Sequence, residues 1–295
     1  MKRYIYIIIC AALLVSCKDE IDLTGRQGVY EYSPNNFSGI GVQDGFELYL
    51  SNGKTPTVRI ESDEEAIMHV KSEIKNGILY FYRNPEVEFP NKVSVKIYVT
   101  KDSLEAIMVS SSKIQIMDTL RTGGLELVLS GKSSMTGRIE CKRIQSMISG
   151  STVEITGISD TVQININGGS LVKMFGLKSN NVKVNISGGS FSEMTVYREL
   201  DVEAREKSIL YYNYRDATII RNLVLDEGSE VIRNLVLNEP EIEEDDSETE
   251  EDDPEIEEDD SETEEGDSGT EEGDSEVEEG DSGTEEGDSE TGEDE

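Results

Sequence analysis

The sequence predicts an all-β protein: a right-handed single-stranded parallel β-helix, with a less regular β-rich N-terminal part and a disordered acidic tail. Two observations predict the coil. Aliphatic and polar residues alternate over most of the chain, and a polar corner interrupts the alternation about every 19 residues. A third observation predicts the tail, because 33 of the 63 acidic residues lie in 241–295, without one Lys or Arg.

The chain opens with a candidate export signal, predicted to span residues 1–16. Lys2 and Arg3 precede an apolar stretch from Tyr4 to Val15, which is too short to cross a bilayer comfortably. The segment "LLVSC", which ends at Cys17, resembles the lipobox of bacterial lipoproteins, in which the cysteine becomes the lipidated first residue. An ordinary signal peptide with an incidental cysteine is the alternative.

A lipidated linker is predicted over 17–28. The residues "KDE" at 18–20 resemble the export signal of surface-displayed Bacteroidota lipoproteins, with a solvated linker as the alternative. The sequence therefore predicts an outer-membrane lipoprotein that faces the cell exterior. Only Cys141 would stay unmodified in the processed protein, so no intrachain disulfide is predicted. Its place among alternating residues predicts a small buried hydrophobe.

The charge of the body argues against a nucleic-acid partner. Outside the tail, 30 acidic residues stand against 27 basic ones, so almost all of the net charge of −36 belongs to 241–295. Such a body offers no basic patch for phosphates. Nucleic acid is therefore not an expected partner.

The β-helix domain is predicted over 29–240, and seven corners spaced 18 to 21 residues apart define its turns. The corner residues are Ser110, Ser130, Ser149, Asn167, Ser187, Arg205 and Asp226. The positions one, three and five residues before them are apolar in 18 of 21 cases, so they are expected to stack around a shared interior. Corners such as "SGGS" supply glycine for the bend, and Ser208 and Ser229 keep the serine where Ser-Gly is lost.

The segment before the regular repeat is also β-rich. "FELYLSNGK" at 46–54, "GILYFYRN" at 77–84 and "KVSVKIYV" at 92–99 are predicted strands. "SDEEAIMHV" at 62–70 is predicted to form one short helical turn capped by Ser62.

This order of segments, followed by turns with Ser-Gly corners, resembles the head GIN domain, a family labelled putative auto-transporter adhesin and common among Bacteroidota lipoproteins. The resemblance covers most of residues 30–238. It implies a right-handed single-stranded β-helix without an established activity. The corners at Arg205 and Asp226 and the acidic tail depart from the family's usual pattern.

The sequence carries no recognisable catalytic constellation, so the protein is predicted not to be an enzyme. The single histidine, His69, follows a short polar stretch and is expected at a surface or boundary position. Metalloprotease, nucleophile-elbow, Walker and Cys-x-x-Cys motifs are absent, and Asp160, Asp201 and Asp216 are scattered along the chain. No metal site and no cofactor are predicted.

A candidate binding surface is the segment "ILYYNYRD" at 209–216. Its candidate ligand contacts are Tyr211, Tyr212, Tyr214 and Arg215, because aromatic faces beside amide and guanidinium groups suit sugar rings or peptides. The alternative is that these tyrosines only occupy a strand, for which tyrosine has a high propensity.

The acidic tail, predicted over 241–295, repeats a seven-residue unit such as "DDSETEE" at 245 and 259. It has too few apolar residues for a coiled coil, and its like charges repel one another, so an extended chain is expected. Such a polyanion would collect divalent cations only weakly, because the unit lacks the fixed ligand geometry of a calcium loop.

Three functions follow from these features. The first is a non-catalytic adhesion or ligand-binding module on the cell surface. The alternatives are a structural cell-envelope protein that self-associates through its β-helix, and a carbohydrate-active β-helix enzyme. The expected partners are the membrane, through the lipid on Cys17, and a glycan or an envelope protein.

Overall fold

The computed structural model describes residues 19–90 and 93–237, which belong to the first of two compact units, Met1–Glu241. Strands take up 68% of the described residues and helix 2%, so the predicted all-β class is confirmed. The predicted signal peptide, Cys17 and the acidic tail lie outside the described residues. Within those residues, no helix has the length and apolar character needed to cross a membrane.

Short strands and one helix build the N-terminal part. Its elements are β1 (Asp19–Glu20), β2 (Gln27–Tyr32), β3 (Gly39–Val42), β4 (Glu47–Ser51), β5 (Thr57–Asp63), α1 (Glu64–Met68), β6 (Val70–Lys75), β7 (Ile78–Arg83), β8 (Val87–Glu88), β9 (Lys96–Thr100) and β10 (Ala106–Ser110). Antiparallel pairs occur here, namely β2 with β5, β5 with β9, and β6 with β7. The coil itself already begins in this part, because β3 and β4 pair in parallel with later turns.

Longer strands that follow the coil around its bends build the rest. They are β11 (Lys113–Ser130), β12 (Ser134–Ser149), β13 (Thr152–Asn167), β14 (Leu171–Ile186), β15 (Phe191–Ala204), β16 (Ile209–Tyr214), β17 (Ile219–Leu225) and β18 (Glu230–Val236). From β10 onward each described pair is parallel, and the result is a β-solenoid of about seven turns. The right hand of the coil stays a prediction.

Side chains at equivalent positions of successive turns form columns inside the coil. The first column contains the residues directly before the corners: Val109, Leu129, Ile148, Ile166, Ile186 and Ala204. The second contains the residues three before the corners: Ile107, Leu127, Ser146, Ile164, Val184 and Val202. All of them are buried. The predicted stacking is therefore confirmed for the first six turns, because parallel strands in register bring equivalent side chains above one another.

The seventh turn differs from the prediction. Leu223 and Leu225 are in register with Val202 and Ala204, but they are 47% and 44% exposed. Their predicted place in the repeat is right and their predicted burial is wrong. An interior position of a coil is buried only when a strand lies on both sides of it, and among the described strands β17 pairs only with β15, so its outer side has no neighbour.

A ladder of buried serines runs along the corners. Its members are Ser112, Ser133, Ser151, Ser170, Ser190, Ser208 and Ser229. At most steps the backbone N–H of one serine donates to the hydroxyl of the serine in the next turn, as from Ser170 to Ser190 over 3.1 Å. The Ser190 hydroxyl in turn donates to the Ser187 carbonyl over 2.7 Å. The serine of the repeat thus satisfies backbone groups that the corner buries.

Glycine is needed at the corners where neighbouring turns approach most closely. Gly188 has φ +68°, and a Cβ there would lie only 2.8 Å from the backbone nitrogen of Gly168. The corner at Arg205 keeps the same bend without glycine, since Glu206 and Lys207 adopt φ values of 57° and 62°. The departures from Ser-Gly therefore change the sequence of the corner and not its role.

The N-terminal end of the coil, opposite to the seventh turn, is capped. There α1 packs against β2 and β5, and Ala66 of the helix is buried. The interior side chains of β5 and β7 are covered as well: Val58, Ile60, Leu79 and Phe81 are all buried. The two ends of the coil therefore differ, because one is closed by the N-terminal part and the other exposes its interior columns.

The predicted helical turn is confirmed, but its predicted cap is wrong. Asp63, not Ser62, caps α1 by accepting the Glu65 N–H over 3.1 Å, and the Ser62 hydroxyl instead donates to the Ser94 carbonyl. Asp63 also accepts the N–H groups of Thr24 and Gly25 over 3.2 and 2.7 Å. One carboxylate thus ties the predicted linker to the domain.

Candidate ligand-binding groove

A bulge in β11 opens a groove on the side of the coil. The pairing of β11 with β12 shifts between Gln115 and Thr119, where three residues of β11 oppose the single residue Gly137. Ile116 stays buried in the bulge, whereas Met117 is 54% exposed. The groove beside the bulge has a volume of about 860 Å³ and is open to solvent.

Gly137 permits the bulge. A Cβ at this position would lie 2.5 Å from the Cβ of Ile116, so a larger residue would push the two strands apart. In the next turn, a Cβ on Gly157 would lie 2.0 Å from the Ile139 carbonyl oxygen. Glycine at each of these two positions therefore lets neighbouring turns approach closely.

Asn52, which follows β4, fixes the bulge from the neighbouring turn. Its backbone N–H donates to Asp118 Oδ2 over 2.9 Å, and its side-chain amide donates to the Thr119 carbonyl over 2.7 Å. These two hydrogen bonds hold the bulged loop on both sides of the Asp118–Thr119 peptide. The shape of the groove is therefore set before any ligand binds.

Two arginines of the groove share one carboxylate. Arg121 Nε donates to Glu140 Oε2 and Arg138 Nη2 donates to Glu140 Oε1, each over 3.0 Å. The hydrogen bond from Arg138, with the charge of Arg121 beside it, lowers the pKa of Glu140 below its usual range. Glu140 therefore stays ionised at neutral pH and is poorly suited to act as a general acid.

The outward side chains of the groove offer hydrogen-bond donors and acceptors at close spacing. Thr136, Glu154 and Thr156 also line the groove. Among the described residues no group of three or more His, Cys, Asp or Glu could hold a metal ion. The arrangement is suited to bind a polar ligand by hydrogen bonds, with Met117 as an apolar contact.

The structure does not bring the four predicted ligand contacts to one surface. Alternation along β16 points Tyr212 into the core, where it is 2% exposed and its hydroxyl accepts a hydrogen bond from Arg233 over 2.9 Å. Tyr211 points outward and its ring lies 5.5 Å from that of Phe191. Tyr212 thus offers almost no surface to a ligand.

The other two candidates lie near the end of β16. The ring of Tyr214 lies 5.8 Å from that of Tyr212, and the guanidinium of Arg215 lies 4.2 Å from the ring of Tyr197. Tyr214 and Arg215 are both partly exposed. Ligand contact at Tyr211, Tyr214 and Arg215 stays a prediction.

The remaining candidate residues have structural surroundings. His69 is partly exposed at the C-terminal end of α1, which is the expected boundary position. Cys141 is half-buried rather than fully buried, and burial raises the pKa of its thiol, so it is not poised to react. Asp160 and Asp201 lie on the side of the coil and accept hydrogen bonds from Asn180 and Asn222.

The groove was not predicted, although the sequence carries a signal for it. Gly137, Gly157 and Gly176 follow one another at spacings of 20 and 19 residues, away from the Ser-Gly corners, and a Cβ on each would meet the neighbouring turn at less than 3 Å. This second glycine series marks places where successive turns approach closely. The break of alternation at Met117 and Asp118 then marks the turn that is widened by the bulge.

Fold and groove together define the class: a parallel β-solenoid that is capped at one end and carries a candidate binding surface on its side. The chain belongs to the family described as "Putative auto-transporter adhesin, head GIN domain", which matches residues 36–214. The predicted resemblance is therefore confirmed. The family description is that of an adhesin and not of an enzyme.

Solved structures of similar fold come from Bacteroidales. A putative adhesin of Bacteroides fragilis NCTC 9343 is 14% identical, with a TM-score of 0.62 over 72% of this chain and 97% of that chain. A putative adhesin of Parabacteroides merdae ATCC 43184 is 16% identical, with a TM-score of 0.61 over 73% and 99%. A putative lipid binding protein of Parabacteroides distasonis ATCC 8503 is 15% identical, with a TM-score of 0.59 over 73% and 100%. At these identities the likeness shows the fold alone, and no curated protein matches the chain.

Proposed function

We propose that the protein is a non-catalytic binding module of the cell surface, held at the outer membrane by a lipid on Cys17. The observation that carries the binding role is the side groove, which is open, lined by hydrogen-bonding side chains and fixed in shape by Asn52. The adhesin family and the putative adhesins of similar fold support the same class of function.

The proposed ligand is a glycan. An open groove admits a segment of a polymer without enclosing its ends, and hydroxyl groups pair with arginine, amide and carboxylate groups in either direction. Among the described residues, Arg121 and Arg138 pair with a single carboxylate, that of Glu140, so they keep N–H groups for a ligand. Both arginines are more than 45% exposed, which leaves them accessible.

The anchor is supported by the lipobox-like segment and by the position of the first described strand. β1 pairs with β8, and Ile21 is buried in the core. Very few residues therefore separate Cys17 from the folded body, and a lipid there would hold the capped part of the coil close to the membrane.

Binding to arrays of glycans and host-matrix proteins tests the function. We expect retention of one class of glycan, with no shortening of that glycan on prolonged incubation. Turnover of a polysaccharide would show that the protein is an enzyme, and an array on which nothing is retained would contradict the binding role.

A further inference from the structure

The open end of the coil is an unusual surface for a monomer. β17 pairs only with β15 and β18 only with β16 among the described strands, so the outer edge of each leaves backbone N–H and C=O groups without a strand partner. The aliphatic side chains exposed there are Ile219, Leu223, Val224, Leu225, Leu235 and Val236. Solenoids normally close such ends with a polar capping element, because a bare edge is a template for another strand.

The sequence that follows β18 is acidic and not apolar. One repeat of 18 to 21 residues after Leu223 and Leu225 is the sequence 241–246. That segment reads "EIEEDD", with one aliphatic residue and five acidic ones. Placing carboxylates over an apolar column would bury unpaired charges, which is strongly unfavourable.

A second copy of the same end is a better match. β17 contains "RNLVL" at 221–225, and the same five residues recur at 233–237 in β18 and the residue after it. Both edge strands therefore expose aliphatic side chains, and a twofold axis would bring the same apolar surface of two copies together. We propose that this end is a homodimer interface, in which β17 and β18 of one copy meet β17 and β18 of another.

The dimer would be closed. The other end also has edge strands, since β2 pairs only with β5 and β6 only with β7 among the described strands, but the interior side chains of β5 and β7 are buried there. A third copy therefore meets no exposed interior column of the kind that this contact uses. Head-to-tail stacking would instead produce filaments, which needs two complementary open ends. The unequal ends of the coil thus limit the assembly to two copies.

The acidic tail makes this contact dependent on salt. The sequence 241–295 carries 33 acidic residues without a base, so each copy adds a large negative charge and two copies repel each other electrostatically. The screening length falls from about 10 Å at 0.1 M salt to about 3 Å at 1 M. The dimer should therefore tighten as salt is added, whereas an interface of attractive ion pairs would loosen.

The dimer also has a consequence for cell contact, which rests on the proposed lipid anchor. Residues 19–25 lie at the capped end of the coil, because β1 pairs with β8 and the N–H groups of Thr24 and Gly25 donate to Asp63, which caps α1. Two copies joined at their open ends would carry their lipids at the two far ends. Such a pair would bridge two membranes and would not lie within one.

Sedimentation equilibrium of the processed full-length protein, at low and high salt, tests the interface. The test variant is Leu223→Lys with Leu225→Lys, and the control is Ile158→Lys, which changes a residue of the side face that is 53% exposed. We expect wild type and the control to dimerise at least tenfold more tightly in high salt, and the double variant to remain monomeric. If the double variant does not fold, Leu235→Lys on β18 replaces it, since Leu235 is more exposed.

A wild-type protein that is monomeric at every salt concentration would overturn the proposal. So would a control that loses dimerisation as fully as the double variant. Clustering of phosphatidylcholine vesicles that carry the lipidated protein tests the consequence separately. Dimers in solution without clustering would leave the interface standing and contradict the anchored arrangement.

Discussion

Two serines that stand two residues apart give the sharpest stability prediction. Ser190 belongs to the ladder, where its hydroxyl accepts the Ser170 N–H and donates to the Ser187 carbonyl. Ser192 lies in an interior column between Val172 and Leu210, and its hydroxyl has no hydrogen-bond partner among the described residues. Both are fully or almost fully buried. Replacing each by alanine removes the same atom from two different environments.

The two substitutions should change the free energy of unfolding differently: Ser190→Ala lowers it, whereas Ser192→Ala leaves it unchanged or raises it. Ser190→Ala leaves the buried Ser170 N–H without an acceptor, which costs about 1–3 kcal/mol, and removes a further hydrogen bond worth about 1 kcal/mol. Ser192→Ala instead removes a buried hydroxyl that is not hydrogen-bonded, so the change should lie between zero and about 2 kcal/mol of stabilisation. We expect the two variants to differ by at least ~2 kcal/mol.

Urea unfolding followed by far-ultraviolet circular dichroism measures the difference, because the chain contains no tryptophan for fluorescence. The two sites belong to the same turn, so both variants report on the same stretch of a coil that unfolds by neighbouring turns. Equal losses in the two variants would refute the ladder, and so would a larger loss in Ser192→Ala.

Three further predictions concern the interior column at Ile166, the lipid anchor at Cys17 and the stability of the protein at acidic pH. Ile166→Asp should cost at least ~4 kcal/mol in urea unfolding, since it buries an unpaired charge between two isoleucines; near-wild-type stability would contradict the column. Cys17→Ala should release the protein from membranes or stall its processing in cell fractionation, and a processed, membrane-bound variant would contradict the lipid anchor. Burial by itself raises the pKa of Asp63, but hydrogen bonds from Thr24, Glu65 and Gly25 outweigh it and lower the pKa below its usual range. The stabilisation by Asp63 is thus complete above the unfolded pKa of about 4 and is lost as pH falls further, so Asp63→Asn should be less stable at neutral pH and show a shallower acid decline in thermal unfolding.

The coil could be predicted because its signals are local and repeated. Alternation fixes which residues face inward, and the corner spacing fixes which of them meet, so Ile148, Ile166 and Ile186 could be placed in one column from the sequence. Burial at the last turn could not be predicted in this way. Leu223 and Leu225 obey the repeat, but their exposure depends on whether another turn follows.

The candidate site was harder to predict because it comes from an irregularity. The groove requires three residues of β11 to lie opposite Gly137. A bulge of this kind interrupts the alternation of buried and exposed residues, so a prediction based on alternation cannot place it. The tyrosine segment was difficult for a different reason. Its tyrosines are neighbours in sequence, but successive residues of a strand point to opposite faces, so they do not form one surface. Tyr212 therefore packs inside, while Tyr211 stays outside.

Equilibrium binding of the glycan retained on the array tests the central claim, that the side groove is the binding surface. The test variant combines Arg121→Ala with Arg138→Ala. The control is Arg59→Ala, because Arg59 is as exposed as Arg138, at 49%, and also pairs with glutamates. We predict at least tenfold weaker binding for the double variant and wild-type affinity for the control. Unchanged affinity in the double variant, or an equal loss in both, would show that the ligand binds elsewhere.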